Sequence, residues 1–365
     1  MRQKYTNEVQ NLAFASLSAQ QPNDRLVSQV SGPFWEVLAS CGKTLMVSRE
    51  YEHFVLALGN HDDMPIMSVL DLPHPSGIST SPATGDLIVS STRTPNQIFW
   101  LKQLTSVDFE REIVPVDIAS SPPLGMLVPY RSVILPGSLY IHDILEHNEQ
   151  LYATATGHNC LIEINQLGGW KKTWWPGVID SLGTEAFREN NLQLNSIGIG
   201  ESLEDSYFTA FSNTIESAKP WKAGYGPKGK GVIYSFQTRE PLVTGLTCPH
   251  AAKVVDGKLW FCNSGYGEVS VVDLNGNSTP DVVSKLAGFT RGLAFAGDYA
   301  PGLNPKDTQC GVVVLNAHTG EQVAQIVWPN GDQIYDLQFL DVPFAYFPGK
   351  NSDDTELNPW LRYLG

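Results

Sequence analysis

The sequence has no apolar run approaching the ~20 residues that a membrane-spanning helix needs, so no membrane partner is expected. Positive charge is scarce as well: 24 Lys and Arg face 38 Asp and Glu, a formal net charge of −14. Nucleic-acid backbones are held by clustered Lys and Arg that release counterions, so a nucleic-acid partner is not expected either. The five cysteines (Cys41, Cys160, Cys248, Cys262 and Cys310) are odd in number and form no CxxC pair. That argues against a zinc ribbon or a disulfide framework and fits reduced thiols in the cytoplasm. The first 30 residues show no compact apolar stretch ending in a small-residue cleavage site, which again leads to a cytoplasmic expectation. Gly-x-Ser-x-Gly, His-Glu-x-x-His, nucleotide-loop and haem motifs are all missing. Nucleophilic-serine and redox-cofactor chemistry therefore have no support, and no cofactor is expected.

What the chain has is punctuation. Its 32 glycines and 24 prolines separate short β-branched and aromatic runs such as LIVSS, QIFWL, QLYATA, CLIEI, KLWFCN and GVVVL, while long helical periodicity is scarce. Many short strands between turn signals indicate a sandwich, a barrel or a propeller, and a period separates these options. Similar lead segments recur near Gly77 (PSGIST), His142 (IHDIL), Asn195 (LNSIGI), His250 (PHAAKVV), Arg291 (TRGLAFA) and Asp336 (IYDLQFL). After most of them come a second run, a polar loop, a third run and a fourth. Repeats of ~40–50 residues with four strands each are propeller blades. Too little sequence follows Asp336 to complete a blade, so this last strand is expected to join the N-terminal runs KTLMVS, HFVLAL and SVLDLP in one composite blade, closing the ring without a free edge. The expectation is an all-β, six-bladed propeller over residues 31–349, with an arm at 1–30 and a tail at 350–365. If FWEVLAS (34–40) were itself an innermost strand, seven blades would result.

The stretches CPHAAKVVDGKLWFCNSGYGEVSVVD, GFTRGLAFAGDYA and CGVVVLNAHTGEQVAQIVWPNGDQIYDLQFL resemble a bacterial β-propeller family, domain of unknown function 4915. IHDIL and LQLNSI occupy the matching earlier positions, and the likeness runs over residues 34–342. It departs at 50–70, at 211–231, and at LQLNSI, where a His or Cys is expected before Leu-Asn. The resemblance supports the fold and implies a setting in bacterial secondary metabolism; it carries no activity to transfer.

Innermost strands line a propeller's channel, so residues at one level of each should converge. The aligned set is Ser76/Gly77, His142, Asn195, His250, Arg291 and Asp336. Two imidazoles suit proton transfer near neutrality. Arg291 suits a substrate carboxylate, and Asp143 and Asp336 are candidates for fixing a histidine tautomer, with Tyr335 and Asn195 orienting groups. Loops on the same face add His158 and a long segment, 212–231, read as a lid in which Trp221 and Tyr225 cover a ligand and Lys222 pairs with a carboxylate. The expected function is a cofactor-independent enzyme acting on a small carboxylate-bearing molecule. Its chemistry would be acid–base cyclisation or isomerisation, such as intramolecular conjugate addition of an amine to a cyclic enone. One alternative is a lactonase-like hydrolase using a divalent metal such as Ca or Zn held by His142, Asn195, His250 and Asp336, although a fixed guanidinium in the ring disfavours an adjacent ion. The other is a non-catalytic propeller that binds a ligand or a protein. A homo-oligomer is compatible with all three.

Overall fold

The computed structural model describes residues 26–61, 64–93, 95–104, 125–215, 228–276, 278–296, 299–301 and 310–347. They form six four-stranded antiparallel sheets arranged as a β-propeller. Blade one is Pro75–Thr80, Leu87–Ser91, Asn96–Leu104 and Met126–Leu135; blade two is Ile141–His147, Gln150–Ala155, Cys160–Ile164 and Trp170–Trp174. Blade three is Leu194–Gly198, Tyr207–Ala210, Gly231–Ser235 and Pro241–Leu246; blade four is Pro249–Val255, Lys258–Asn263, Glu268–Asp273 and Asp281–Lys285.

Blade six closes the ring as expected. Asp336–Leu340 pairs antiparallel with Thr44–Arg49, followed by Phe54–His61 and Met64–Asp71, so the two ends of the domain are held in one sheet. Blade five departs from the pattern. Its sheet runs Tyr299–Pro301, Cys310–Asn316, Gln322–Trp328 and then Gln29–Ser31, so the end of the N-terminal arm supplies an outer strand. Its inner segment, 291–295, is not a regular strand, because Gly292 takes a left-handed φ of +75°. This turn brings Gly292 against Asp336 and Leu337 of blade six.

The seven-blade alternative is overturned at FWEVLAS. Phe34–Ser40 is an α-helix that starts after Pro33 and buries Phe34, Val37 and Leu38. Those positions fall on one helical face rather than alternating as a strand requires. The helix packs into the slab between blades five and six, beside Phe54, Leu56 and Trp328. The core as a whole consists of such slabs between neighbouring blades, for example Ile88, Ile98 and Trp100 against Ile141, Ile144 and Ile162. Trp100, Trp174, Trp260 and Trp328 are buried in these slabs.

At the channel, packing is too tight for side chains everywhere. A Cβ on Gly77 would lie 2.6 Å from the Asp143 Cα and 2.9 Å from the Ile144 nitrogen, both backbone atoms of the next blade. Gly77→Val is therefore expected to destabilise the fold by about 2 kcal/mol or more, as overpacking against unyielding backbone does. Urea unfolding checks this; an unchanged midpoint would contradict the packing described.

Candidate functional site

Successive residues of a regular strand face opposite ways, but the inner strands here place two in a row along the channel. The pairing of inner and second strands shifts register between Pro75 and Ile78, between Ala153 and Ala155 (opposite Ile144 and Ile141), between Leu194 and Ser196, and between His250 and Lys253. Such bulges re-aim side chains. Two polar levels result.

The deeper level is a set of clasps between blades. The Asp143 carboxylate accepts the N–H of Ile144 on its own strand (2.8 Å) and that of Ile197 on blade three (2.8 Å). Asp336 does the same with Leu337 (2.8 Å) and Ile78 of blade one (2.9 Å), and the Ser196 hydroxyl accepts Ala252 N–H of blade four (3.0 Å). Counting from these clasps, Asp336 aligns with Asp143, and Tyr335 is the residue level with His142. The sequence alignment was thus one residue off in blade six. Neither aspartate touches a histidine. The tautomers are fixed instead by backbone carbonyls, with His142 Nδ1 3.2 Å from Tyr140 O and His250 Nδ1 3.0 Å from Cys248 O.

The upper level comprises His142, Asn195, His250, Arg291 and Tyr335, which border one small cavity of about 20 Å³ together with Asp336 beneath. That is room for about one or two waters, or for a carboxylate head, and not for a whole substrate. Asn195 is saturated: its amide donates to Gln193 O and Pro249 O (both 3.1 Å) and its oxygen accepts from Thr209 (2.6 Å). His142 has both nitrogens engaged, Nε2 lying 2.9 Å from the Gln193 amide. His250 sits edge-on between Phe211 and Phe289, with Ser264 Oγ 2.8 Å from Nδ1 and no described residue bonded to Nε2. Arg291 is only 9% exposed, and its guanidinium lies 3.7 Å from the centre of the Tyr335 ring. Among the described residues it has no hydrogen-bond or ion-pair partner, and the buried Tyr335 hydroxyl has none either.

Burial, reinforced by the positive field of Arg291, holds both His142 and His250 well below the ordinary imidazole range. Burial also pushes Tyr335 well above the usual phenol value, despite Arg291. Asp143 is pushed up to about 7, first by burial and further by the neighbouring Asp336, against the pull of Lys253.

Other expected residues lie elsewhere. Ser76 is fully buried, its hydroxyl 2.9 Å from that of Ser90, and it does not border the cavity, because it turns into its own blade. His158 tilts against Trp170 (5.7 Å) on the outermost strand of blade two, away from the channel. Trp221, Lys222 and Tyr225 fall outside the described residues. Conversely, sequence reasoning missed a collar above the cavity. Glu50, buried, accepts from the Thr92 hydroxyl and faces Arg93 Nε at 3.4 Å. Arg93 in turn spans the rings of Tyr140 (5.3 Å) and Tyr51 (6.0 Å). These come from connecting segments between strands, where no repeat signals them. Among the described residues, no group of three or more His, Cys, Asp or Glu side chains is placed to hold a metal ion, although His142, Asn195, His250 and Asp336 all border the same cavity.

The profile of domain of unknown function 4915 matches residues 32–345. The chain belongs to this family. No curated protein matches it. Among solved structures, a chain of a nidogen–laminin complex shares 9% identity at a TM-score of 0.56, covering 82% of this chain and 98% of that one. A putative 6-phosphogluconolactonase from Bacteroides uniformis shares 14% identity at a TM-score of 0.50, covering 82% and 99%. Likeness at such identities shows the fold of this family member and nothing of its chemistry. No helix among the described residues is long and apolar enough to cross a membrane, and none of the five cysteines is in a disulfide.

Because His142 and His250 stay neutral when folded but take up a proton when unfolded, they lower stability as pH falls below about 6.5. Nitrogen NMR of the two rings is expected to show no titration from pH 8 to pH 5; a midpoint near 6.5 for either would contradict the burial described.

Proposed function

We propose that this protein is an enzyme of small-molecule metabolism that holds a substrate carboxylate at the polar end of the channel and works by acid–base chemistry. The observation that carries the reading is the buried Tyr335 hydroxyl, which has no partner, beside the Arg291 guanidinium, which makes no hydrogen bond or ion pair to any described residue, both at one small cavity. Buried polar groups are normally satisfied, so an unmatched cation beside an unmatched O–H is the complement of an anionic oxygen pair. The substrate's body then lies above, in the collar of Arg93, Tyr51 and Tyr140.

His250 is the proton acceptor in this reading, since its Nδ1–H is held by Cys248 O and its Nε2 lone pair is unengaged. Arg291 weakens that base in the empty site. A bound carboxylate neutralises Arg291, so basicity rises when substrate is in place. His142, tied to Gln193, holds the wall and positions Tyr335, whose ring lies 5.3 Å away. The reaction class is cyclisation or isomerisation. In a conjugate addition, the substrate amine forms a C–N bond to the enone β-carbon, its proton passes to His250 Nε2, and the same proton returns to the α-carbon. No outside oxidant or reductant is required.

Untargeted mass spectrometry of a small-molecule cell extract incubated with the protein tests this. The expected result is consumption of a carboxylate-bearing compound, with a product of equal mass. Arg291→Gln and His250→Ala should each slow it at least 100-fold, in the range that loss of a general base or charge clamp produces. Unchanged turnover in both variants would overturn the assignment. A product heavier by one water, with activity lost in chelator, would favour the metal-dependent lactonase reading; 6-phosphogluconolactone, the substrate named for the Bacteroides uniformis protein, serves as its probe.

A further inference from the structure

Below the clasps the channel opens again into a second cavity of about 270 Å³, larger than the first. Its walls are mainly aliphatic and aromatic, including Ile144, Ile197, Val254, Leu293 and Phe295. Its size falls just below the range of drug-sized sites, which suits a compact metabolite. Only two residues, Asp143 and Lys253, border both cavities. They form the waist of the channel and carry opposite charges.

These two do not neutralise each other by contact. Lys253 makes no ion pair or hydrogen bond to any described residue, although its ammonium is close enough to act electrostatically on both Asp143 and Asp336. Each Asp143 oxygen accepts one backbone N–H and retains capacity for a further donor. The floor of an apolar chamber thus presents an ammonium and a carboxylate side by side, held apart by the blades that carry them. A simple anion entering there would meet Asp143, and a simple amine would meet Lys253. A molecule bearing both charges on one end and an apolar group on the other satisfies the floor and the walls together.

We propose that this lower cavity binds a free α-amino acid with an apolar side chain, its ammonium at Asp143 and its carboxylate at Lys253. The site is independent of the reading given for the upper cavity. Gln338 and Ser79, which also line it, offer further polar contacts at the wall, and Glu146 lines it as well, its Oε1 accepting from the Ser81 hydroxyl (2.6 Å).

Isothermal titration calorimetry on the full chain tests the inference with four probes: L-phenylalanine, L-leucine, 3-phenylpropionate, which lacks the ammonium, and phenethylamine, which lacks the carboxylate. L-Phenylalanine or L-leucine is expected to bind, with both truncated probes at least tenfold weaker. Lys253→Met should abolish binding. Ala294→Phe, which fills the chamber without touching either charge, should do the same and guards against a folding defect in the first variant. Arg291→Met should leave this affinity unchanged. The proposal is overturned if no apolar amino acid binds, or if a truncated probe binds as tightly as the zwitterion. It is equally overturned if binding survives Lys253→Met and Ala294→Phe but is lost in Arg291→Met, which would place the ligand in the upper cavity.

Discussion

The propeller depends at its centre on one interaction, a side-chain oxygen on one inner strand accepting a backbone N–H from the inner strand of the next blade. Asp143 reaches Ile197, Asp336 reaches Ile78, and Ser196 reaches Ala252. Inner strands have no ladder partner on the channel side, so these N–H groups would otherwise face a narrow channel unpaired, at a cost of about 1–3 kcal/mol each. The clasps also set the height of each blade relative to its neighbour, and with it the level at which every channel residue sits. Where blade one has no side chain to spare, Gly77 lets the Asp143 backbone approach directly.

Electrostatics follows from this frame. Asp143 and Asp336 are anchored by backbone N–H groups and make no ion pair with Arg291, though Asp336 borders the same cavity. Arg291 is left to stack on Tyr335, a cation–π contact worth on the order of 1–2 kcal/mol when desolvated. Two histidines are kept neutral by burial and by the same guanidinium. In the proposed reading, this arrangement is preorganised charge held ready for a ligand.

Much of the architecture was legible because it is repetitive. The lead segments, the strand that closes blade six and the four-strand blades all follow from spacing and alternation. The site was legible only to within one residue. A bulge is a local insertion that leaves no mark in composition, so the inner strands of blades one to four carry two inward residues, whereas Asp336–Leu340 begins in regular register with Ser48. That difference hid the equivalence of Tyr335 with His142. TRGLAFA reads as a strand, but the left-handed Gly292 breaks it. Glu50, Arg93 and Tyr140 stand on loops whose lengths vary from blade to blade, beyond the reach of any period. Lys253 lies in the inner strand Pro249–Val255, three residues past His250; regular alternation would turn it to the opposite face, and the bulge between the two residues is what brings both to the channel.

The central claim is that Arg291 is a buried cation without a carboxylate partner among the described residues. Urea unfolding of Arg291→Met, which keeps the apolar stem, measures this directly. The account predicts a stability within about 1 kcal/mol of the parent or above it, because no ion pair is broken and a desolvated charge is removed. A loss of roughly 3 kcal/mol or more, the size expected when a buried ion pair loses one member, would show that Arg291 is committed to the fold and not to a ligand.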